Sequence, residues 1–323
     1  MTDIMALGEV LIDLTQTGTD EKVIPQFAAF PGGAPANVAV AASRLGAQTA
    51  FLGMVGRDSF GQYLRQTLVQ EGVNADSLCD TEESPTTLAI VSVDETGERS
   101  FAFYRQPGAD TRLTPADAIR ALNTATPRIL HFGSLSLTTE PSRTAAFEAV
   151  AHAKAGGSLI SYDPNYRPAL WSDETEAIRR MKAPLNQVDI LKVSDEELVM
   201  LTGTEDLEEG SQKLAAYGIR LVLVTLGSEG VFYRFGENTG KIPGVQVKVS
   251  DTNGAGDTFL GAMLMQIVKR MKEAEHTGAE LLDTGLTVAE LEEFLRFANQ
   301  AAAKTCSRPG AIPAMPTLEE MQG

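Results

Sequence analysis

The segment KVSDTNGAGDTFLGAML, residues 248–264, places a glycine loop between two patterned stretches. VQVKVSD, residues 245–251, alternates apolar and polar residues and predicts a β-strand. DTFLGAMLMQIVKR, residues 257–270, has the apolar spacing of an α-helix. The loop therefore lies at a predicted helix N-terminus, where backbone N–H groups and the helix dipole favour a bound anion.

Two common phosphate-binding loops are excluded. The chain has no Gly-x4-Gly-Lys-Ser/Thr sequence, so it carries no P-loop. A dinucleotide fingerprint needs a third glycine, which Phe259 replaces, and it normally follows the first strand of the fold. A dinucleotide-dependent oxidoreductase is therefore not favoured.

The residue after the loop, Asp257, is itself an anion. A carboxylate beside an anion site is useful when a phosphoryl group is transferred, because the attacking hydroxyl must lose its proton while positioned donors stabilise the charge. For an isolated Gly-Ala-Gly-Asp, however, an acid that simply complements the helix dipole is the favoured interpretation. The first interpretation predicts a base and an anion hole, formed by Asp257 and by the amides of Gly254, Ala255 and Gly256.

Short apolar runs alternate with amphipathic stretches along most of the chain. The runs predict strands at 4–14, 49–56, 128–133, 158–163, 188–194 and 220–227. The amphipathic stretches predict helices at 34–46, ending at Gly46, at 59–72, ending at Gly72, and at 141–155, 173–183 and 195–202, with a further one before 220. This alternation is typical of βαβ units, so we expect an α/β fold with a parallel sheet between helices.

One region departs from this alternation. TTLAIVSVDETGERSFAFYRQ, residues 86–106, contains two β-rich runs joined by DETGE, with no helix-length segment between them. The Thr-Gly pair in the connection predicts a hairpin. Periodicity alone leaves open whether the hairpin is a lid or a decoration.

Composition narrows the class of protein. The chain has 323 residues and a formal net charge of −16, which argues against nucleic-acid and anionic-membrane partners. Cys79 and Cys306 are isolated and predict reduced thiols, and three histidines without a zinc motif make a zinc site improbable. No signal peptide or membrane-length apolar run is recognisable, so we expect a cytoplasmic protein.

Two long segments resemble the signatures of one enzyme family. DTNGAGDTFLGAML, residues 251–264, resembles the C-terminal signature of the ribokinase-like (PfkB) sugar kinases, and residues 32–56, GGAPANVAVAASRLGAQTAFLGMVG, resemble their N-terminal signature. FAFYRQPGAD, SYDPNYRPALW, KVSDEELVMLTG and RPGAIPAMPT are similar to segments of the fructokinase branch. Two signatures in this order are far more specific than either alone.

The resemblance implies a fold and an activity. We expect one domain over residues 1–323, a three-layer sandwich with a central, mostly parallel sheet and a small β-sheet lid from strands around 11–30 and 86–110. The implied reaction is ATP-dependent phosphorylation of D-fructose at the 6-hydroxyl, with Mg²⁺ and in many members K⁺. The lids of two copies often pair in this family, so the resemblance also implies a possible homodimer.

The same resemblance implies roles for particular residues. Implied sugar-binding residues are Asp13, Gly32, Gly33, Asn37, Arg105 and Arg167, with Asp110 ordering the lid. Implied nucleotide-binding residues are Thr225, Gly227, Asn299 and Lys192. Glu197 would meet magnesium through water, and a monovalent cation would be held, mostly by backbone, at Asp251, Asn253, Thr305, Arg308 and Gly310.

Two positions depart from the family pattern, and other functions stay open. Ser194 stands where the family has Asn, so that Ser194, Asp195 and Glu196 read more simply as an N-cap and a charged first turn. Ala314 replaces the usual serine near the potassium loop. The nearest rival function is a 2-keto-3-deoxygluconate kinase, with a nucleoside or tagatose-phosphate kinase behind it. A non-catalytic sugar sensor is the rival from another class.

Overall fold

The computed structural model describes residues 2–93 and 99–322 and contains two sheets. Its strands are β1 (Ile4–Leu7), β2 (Leu11–Thr19), β3 (Pro25–Gly32), β4 (Thr49–Gly56), β5 (Leu78–Thr81), β6 (Leu88–Val93), β7 (Arg99–Tyr104), β8 (Ile129–Gly133), β9 (Leu159–Asp163), β10 (Ile190–Ser194), β11 (Leu221–Thr225), β12 (Val231–Phe235) and β13 (Asn238–Ile242). The large sheet has nine strands in the order β13-β12-β11-β10-β9-β8-β1-β4-β5. The small sheet has four, in the order β3-β2-β6-β7.

The large sheet is mostly parallel. Neighbouring strands from β5 through β11 pair in parallel, and only β12 and β13 are antiparallel to their neighbours. Strand β1 is buried at every position, as a parallel strand covered on both faces requires. The predicted α/β fold is confirmed.

Helices cover both faces of the large sheet. They are α1 (Ala34–Arg44), α2 (Ser59–Gln70), α3 (Pro115–Thr124), α4 (Ser142–Ala155), α5 (Glu174–Lys182), α6 (Asp195–Thr202), α7 (Leu207–Ala215), α8 (Ala255–Ala274), α9 (Gly278–Glu280), α10 (Val288–Cys306) and α11 (Leu318–Gln322). Alternate β1 residues divide the core, since Met5 and Leu7 pack with helices α3 to α7, whereas Ile4 and Ala6 pack with α1, α2, α8 and α10. The three-layer architecture follows from this division.

The ends of the first two helices agree with the sequence. Helix α1 is followed by Gly46 and α2 by Gly72, both with positive φ (103° and 77°), as expected for glycines that terminate helices. The predicted helices at 141–155, 173–183 and 195–202 correspond to α4, α5 and α6. No helix within the described residues is both long and apolar enough to cross a bilayer.

The small sheet collects the strands outside the parallel layer. Strand β2 pairs antiparallel with β3 and parallel with β6, and β6 pairs antiparallel with β7. The two β-rich runs within residues 86–106 are therefore β6 and β7, while the predicted Thr-Gly turn at 94–98 lies outside the described residues. Whether this sheet acts as a lid stays a prediction.

Two predicted strands were wrong. Residues 4–14 form parts of two strands, because the chain leaves the large sheet after Leu7 and enters the small one at Leu11. Residues 245–249 belong to no strand, although they alternate. Val245, Val247 and Val249 are 43%, 37% and 59% exposed, so this alternation does not arise from a buried sheet face.

Candidate active site

The glycine loop is the N-terminus of α8, the longest helix described. Gly254 is the N-cap residue in the left-handed conformation (φ 72°), and no side chain caps the helix. The Ala255 amide makes a long bond of 3.3 Å to the Thr252 carbonyl. The amides of Gly256 and Asp257 lie in the first turn, which has no intrahelical acceptor, so these N–H groups and the dipole favour an anion here.

This loop separates two cavities. The first, the carboxylate cavity, is lined on the loop side by Gly254 and Asp257 and elsewhere by Glu9, Leu11, Asp13, Gly33, Ala34, Asn37, Phe103, Leu135, Asn165, Arg167, Asn253 and Ala311. The second, the valine cavity, is lined on the loop side by Ala255 and Gly256, and elsewhere by a set that includes Thr225, Gly227, Val245, Val247, Val249, Phe259 and Asn299. One short segment thus contacts both.

Asp257 is buried and faces the carboxylate cavity. Its Oδ2 accepts a hydrogen bond of 2.8 Å from Asn37 Nδ2. Burial raises the pKa of Asp257 to about 6, with Asp163 adding to the rise, while Asn37, Lys192 and Arg167 oppose it. A carboxylate with this pKa is a better proton acceptor than an ordinary aspartate and remains largely ionised at neutral pH.

Asp13 lies on the same cavity, in the second strand of the chain. Burial raises its pKa to about 6, and the nearby Asp257 adds to that rise. Its carboxylate packs against the backbone of Gly32, since a Cβ on Gly32 would lie 2.3 Å from Asp13 Oδ2. Gly33 has φ 108°, and a Cβ there would lie 2.5 Å from the Glu9 carbonyl. Both glycines are therefore required for the close approach of these two chain segments.

Glu9 is a site residue that sequence reasoning missed. Its Oε1 accepts a bond of 3.2 Å from the Ala34 amide, and burial raises its pKa to about 7. Within the described residues, Glu9 Oε2 and Asn37 Oδ1 are buried and have no hydrogen-bond partner. Buried acceptors without partners mark a place where a polar ligand completes the bonding. The isolated acid in the apolar run GEVLID was the available signal.

Lys192 lies beneath the loop and is paired with another residue that was missed. Its Nζ is 2.9 Å from Asp163 Oδ2. A Cβ placed on Gly256 would be 3.2 Å from the same Nζ, so the ammonium lies against the loop backbone. Asp163 ends strand β9, and polar residues at the carboxyl ends of parallel strands commonly form sites. That position was the signal in the sequence.

Glu197 binds two backbone segments. Its Oε2 accepts from the Ser194 amide at 2.8 Å, and Oε1 accepts from the Tyr166 amide at 2.7 Å. Ser194 is the N-cap of α6 in a capping box with Glu197, as the sequence predicted, and Asp195 and Glu196 are exposed in the first turn. Burial raises the pKa of the Glu197 carboxyl.

The two arginines have different surroundings. Arg167 lines the carboxylate cavity. Arg105 does not, because its buried guanidinium bonds Asp110 Oδ2 from Nε at 2.7 Å, Thr138 Oγ1 at 2.7 Å and the Leu135 carbonyl at 2.9 Å. Arg105 and Asp110 are therefore not among the described residues that line the cavity, although both act electrostatically on Glu9, which does line it.

The remaining predicted residues lie around the loop. Thr225, Gly227 and Asn299 line the valine cavity, and Asn299 Nδ2 donates to the carbonyls of Pro243 at 3.0 Å and Ile242 at 3.3 Å. Asp251 joins the two predicted cation-binding segments, since its carboxylate accepts from the amides of Asn253 and Gly310, both at 3.0 Å. The Thr305 carbonyl accepts from the Arg308 amide at 3.2 Å.

Comparison with known proteins identifies the family of this chain. The profile of the pfkB family of carbohydrate kinases matches residues 1–318, and the chain belongs to that family. Fructokinase-2 of Solanum lycopersicum is 41% identical over 324 residues, covering 98% of this chain and 94% of that protein. Probable fructokinase-4 of Arabidopsis thaliana is 41% identical over 326 residues, covering 99% and 95%.

Solved structures show the same relationship. A fructokinase from Xylella fastidiosa with bound ATP superposes with a TM-score of 0.90 and 35% identity, covering 99% of this chain and 97% of that one. A fructokinase double mutant from Vibrio cholerae O395, in a form with fructose, ADP and a potassium ion bound, gives 0.85 and 34%, covering 100% and 97%. The protein is therefore a carbohydrate kinase, and the four relatives named here are fructokinases.

Proposed function

We propose that this protein transfers the γ-phosphoryl group of ATP to the 6-hydroxyl of D-fructose. The observation that carries the proposal is the position of residues 254–257 between two cavities, with Asp257 on one side and the Gly256 amide at the other. Sugar in the carboxylate cavity and nucleotide in the valine cavity would meet at this segment. The fructokinase relatives supply the substrate pair.

Several residues in and beside the carboxylate cavity have roles in this reaction. Asp13 and Asn37 bind sugar hydroxyls, and the close-packed Gly32 and Gly33 allow the sugar to approach backbone. Asp257 accepts the proton of the attacking hydroxyl as the new oxygen–phosphorus bond forms. The N–H groups at the start of α8 stabilise the charge on the transferring group.

Charge favours a neutral sugar over a sugar acid. Glu9, Asp13 and Asp257 bring three carboxyl groups to the carboxylate cavity, and Arg167 is the one cationic residue among its lining residues in the described chain. The carboxylate of 2-keto-3-deoxygluconate would add a fourth acid to this set. Arg105, the other cation considered for that substrate, is bound to Asp110. Fructose is uncharged, so its binding adds no negative charge to the cavity.

Magnesium fits this site as a companion of the nucleotide. The described residues contain no group of three or more His, Cys, Asp or Glu side chains able to hold a metal. Glu197 bonds two backbone amides, so contact through water is the arrangement its carboxylate permits. Bound to the phosphates, Mg²⁺ would neutralise part of their charge. We also propose a monovalent cation at the segments joined by Asp251.

The small sheet is proposed to act as a lid and as a dimer contact. Its strands flank the carboxylate cavity, and Leu11, Asp13 and Phe103 from them line it, so closure there would exclude water from the reaction. Ile24 and Phe27 are 52% and 45% exposed next to and within β3, which supports pairing with a second copy. Sedimentation would give the oligomeric state.

The decisive experiment is a panel of sugars with Mg-ATP, scored by product mass and by NMR of the phosphorylated position. It includes fructose, tagatose 6-phosphate, 2-keto-3-deoxygluconate and a nucleoside. A fructose-6-phosphate product with the highest kcat/KM supports the proposal. Saturable fructose binding without turnover would instead identify a sugar sensor.

Two free thiols are typical of a reducing compartment, so we place the enzyme in the cytoplasm.

A further inference from the structure

Lys192 is a buried cation with little of its bonding used by the protein. The residue is 7% exposed in the parallel strand β10. Within residues 2–93 and 99–322, its ammonium has one ion-pair partner, Asp163. An ammonium has three N–H donors, so two are available to another acceptor.

The ammonium is directed at the loop that separates the cavities. A Cβ on Gly256 would come to 3.2 Å from Lys192 Nζ, closer than a side chain normally approaches. The absence of that Cβ lets an oxygen anion bound by the Gly256 amide approach Lys192 as well. The Lys192 ammonium and the N-terminus of α8 are therefore both placed to bind the same oxygen anion.

The surroundings keep Lys192 charged. Burial alone would favour the neutral amine, but the carboxylates of Asp163, Glu197 and Asp257 together raise the pKa of Lys192. The other titratable neighbour, His131, is buried beside Ser161, and burial lowers its pKa to about 4, so it is neutral at physiological pH. The lysine is therefore positively charged at physiological pH.

Asp163 connects Lys192 to the sugar side. Its Oδ2 holds the ammonium, while Oδ1 accepts a bond of 3.2 Å from the Asn165 amide. Asn165 has φ 48°, a left-handed conformation that asparagine tolerates better than most residues, and it lines the carboxylate cavity next to Arg167. One carboxylate therefore orients groups on both sides of the reacting centre.

We propose that Lys192 is a further catalytic residue, whose ammonium bonds an oxygen of the phosphoryl group during transfer, and that Asp163 is its positioning residue. The inference rests on the proposed kinase activity. The acceptor hydroxyl gives its proton to Asp257, its oxygen forms the new bond to phosphorus, and the bond from the γ-phosphorus to the bridging oxygen breaks. The electron pair of that bond leaves with ADP, and Lys192 keeps its proton throughout.

The primary test is Lys192→Met, with Lys213→Met on the exposed surface as the control. We expect kcat to fall roughly 100- to 1,000-fold, the range for loss of one oxyanion donor, while the KM for ATP changes less than threefold. Binding of ADP with aluminium fluoride, a mimic of the transferring group, should weaken far more than binding of ADP alone. A kcat within threefold of the wild type would overturn the inference.

A second variant separates catalysis from folding, because Lys192→Met leaves Asp163 buried without its partner. The double variant K192Q/D163N removes both charges and retains two similar side chains. It should unfold near the wild-type temperature and still lose kcat and aluminium fluoride affinity. If the folded double variant turns over normally, Lys192 has no catalytic role.

Asp163→Asn tests the positioning role. The amide oxygen can still accept from Asn165, but the charge that fixes Lys192 is lost. We expect a lower kcat with the fructose KM changed less than threefold, whereas Asp163→Ala should raise that KM as well. A wild-type enzyme inactive on the whole sugar panel would reject the kinase proposal itself, and an active wild type with an equally active K192Q/D163N rejects only this inference.

Discussion

Asn37 Nδ2 donates a hydrogen bond of 2.8 Å to Asp257 Oδ2, although the two residues are 220 positions apart in the chain. Each lies near the N-terminus of a helix, α1 and α8, and these two helices pack on the same face of the large sheet. The two family signatures therefore meet at one pair of side chains. The bond leaves Asn37 Oδ1 available to a substrate hydroxyl.

Replacing the proposed base should stop turnover without preventing binding. For Asp257→Asn we expect kcat to fall roughly 100- to 10,000-fold, because proton removal is lost in the transition state, with both KM values changed only a few fold. Steady-state kinetics measures this directly. Asp195→Asn, an exposed acid in the first turn of α6, is the control and should be silent. An active D257N enzyme would remove the base assignment.

The pH profile should report the Asp257 carboxyl. Because its pKa is raised to about 6, kcat/KM should fall at least tenfold per pH unit below that value, as the base becomes protonated together with Asp13, whose pKa is also about 6. The Asn37 bond lowers the pKa of Asp257, so Asn37→Ala should move the acidic limb of its residual activity to higher pH. Asn123→Ala, exposed on α3, should leave the limb in place. A profile flat down to pH 5 contradicts the assignment.

Glu9 should destabilise the folded protein at neutral pH. Its folded pKa of about 7 lies above the ordinary glutamate value of 4.5, so between these values the folded state retains a proton that the unfolded chain releases. Stability therefore falls as pH rises through this window, by up to about 3 kcal/mol. Glu9→Gln should raise the unfolding temperature at pH 8 but hardly at pH 4.5. An equal shift at both pH values, or the same behaviour in the exposed Glu148→Gln, would contradict this explanation.

Arg105 should matter for the stability of the fold. Arg105→Ala leaves Asp110 buried and unpaired, which should cost about 3–5 kcal/mol in the free energy of unfolding. Adding Asp110→Asn should recover part of that loss. Arg179→Ala removes a surface pair with Glu176 and should change stability far less, because water and salt screen such a pair. Denaturant unfolding compares the three, and an unchanged midpoint for R105A would refute the structural role.

Replacing Asn299 should weaken the use of ATP and leave the use of fructose almost unchanged. Its amide holds the carbonyls of Ile242 and Pro243, immediately before the segment that lines the valine cavity. Asn299→Ala should raise the KM for ATP roughly 5- to 50-fold, equivalent to the loss of one or two hydrogen bonds, with the fructose KM within twofold. The exposed neighbour Gln300→Ala should match the wild type. Equal effects on both substrates would assign Asn299 a general structural role.

Much of the fold was predictable because local patterns and tertiary structure agree. Buried parallel strands are continuously apolar, and glycines end helices α1 and α2, so both features are visible in the sequence. The break after Leu7 was not visible, since an apolar run does not reveal which sheet each half joins. The valines at 245, 247 and 249 line a cavity outside either sheet, and periodicity cannot distinguish such a segment from a strand.

The candidate site was predictable where a motif carried it. Asp257, Asn37 and the two glycines belong to recognisable segments, whereas Glu9 and Asp163 owe their character to burial and to partners 25 and 29 residues away. Arg105 shows a different limit of prediction from sequence, because a residue in a recognisable segment can have a structural partner instead of a ligand. An arginine near a predicted lid looks like a ligand-binding residue, but its chemistry depends on whether a buried acid such as Asp110 already occupies it.

The segment from Val245 to Val249 makes no ladder bonds to either sheet. Substitutions there alter one wall of the valine cavity, the proposed nucleotide site, while every strand pairing is preserved. The choice of phosphoryl donor can consequently diverge among related enzymes without disturbing the framework that selects the acceptor. Directed changes at these three valines are the natural starting point for an enzyme that uses another nucleoside triphosphate.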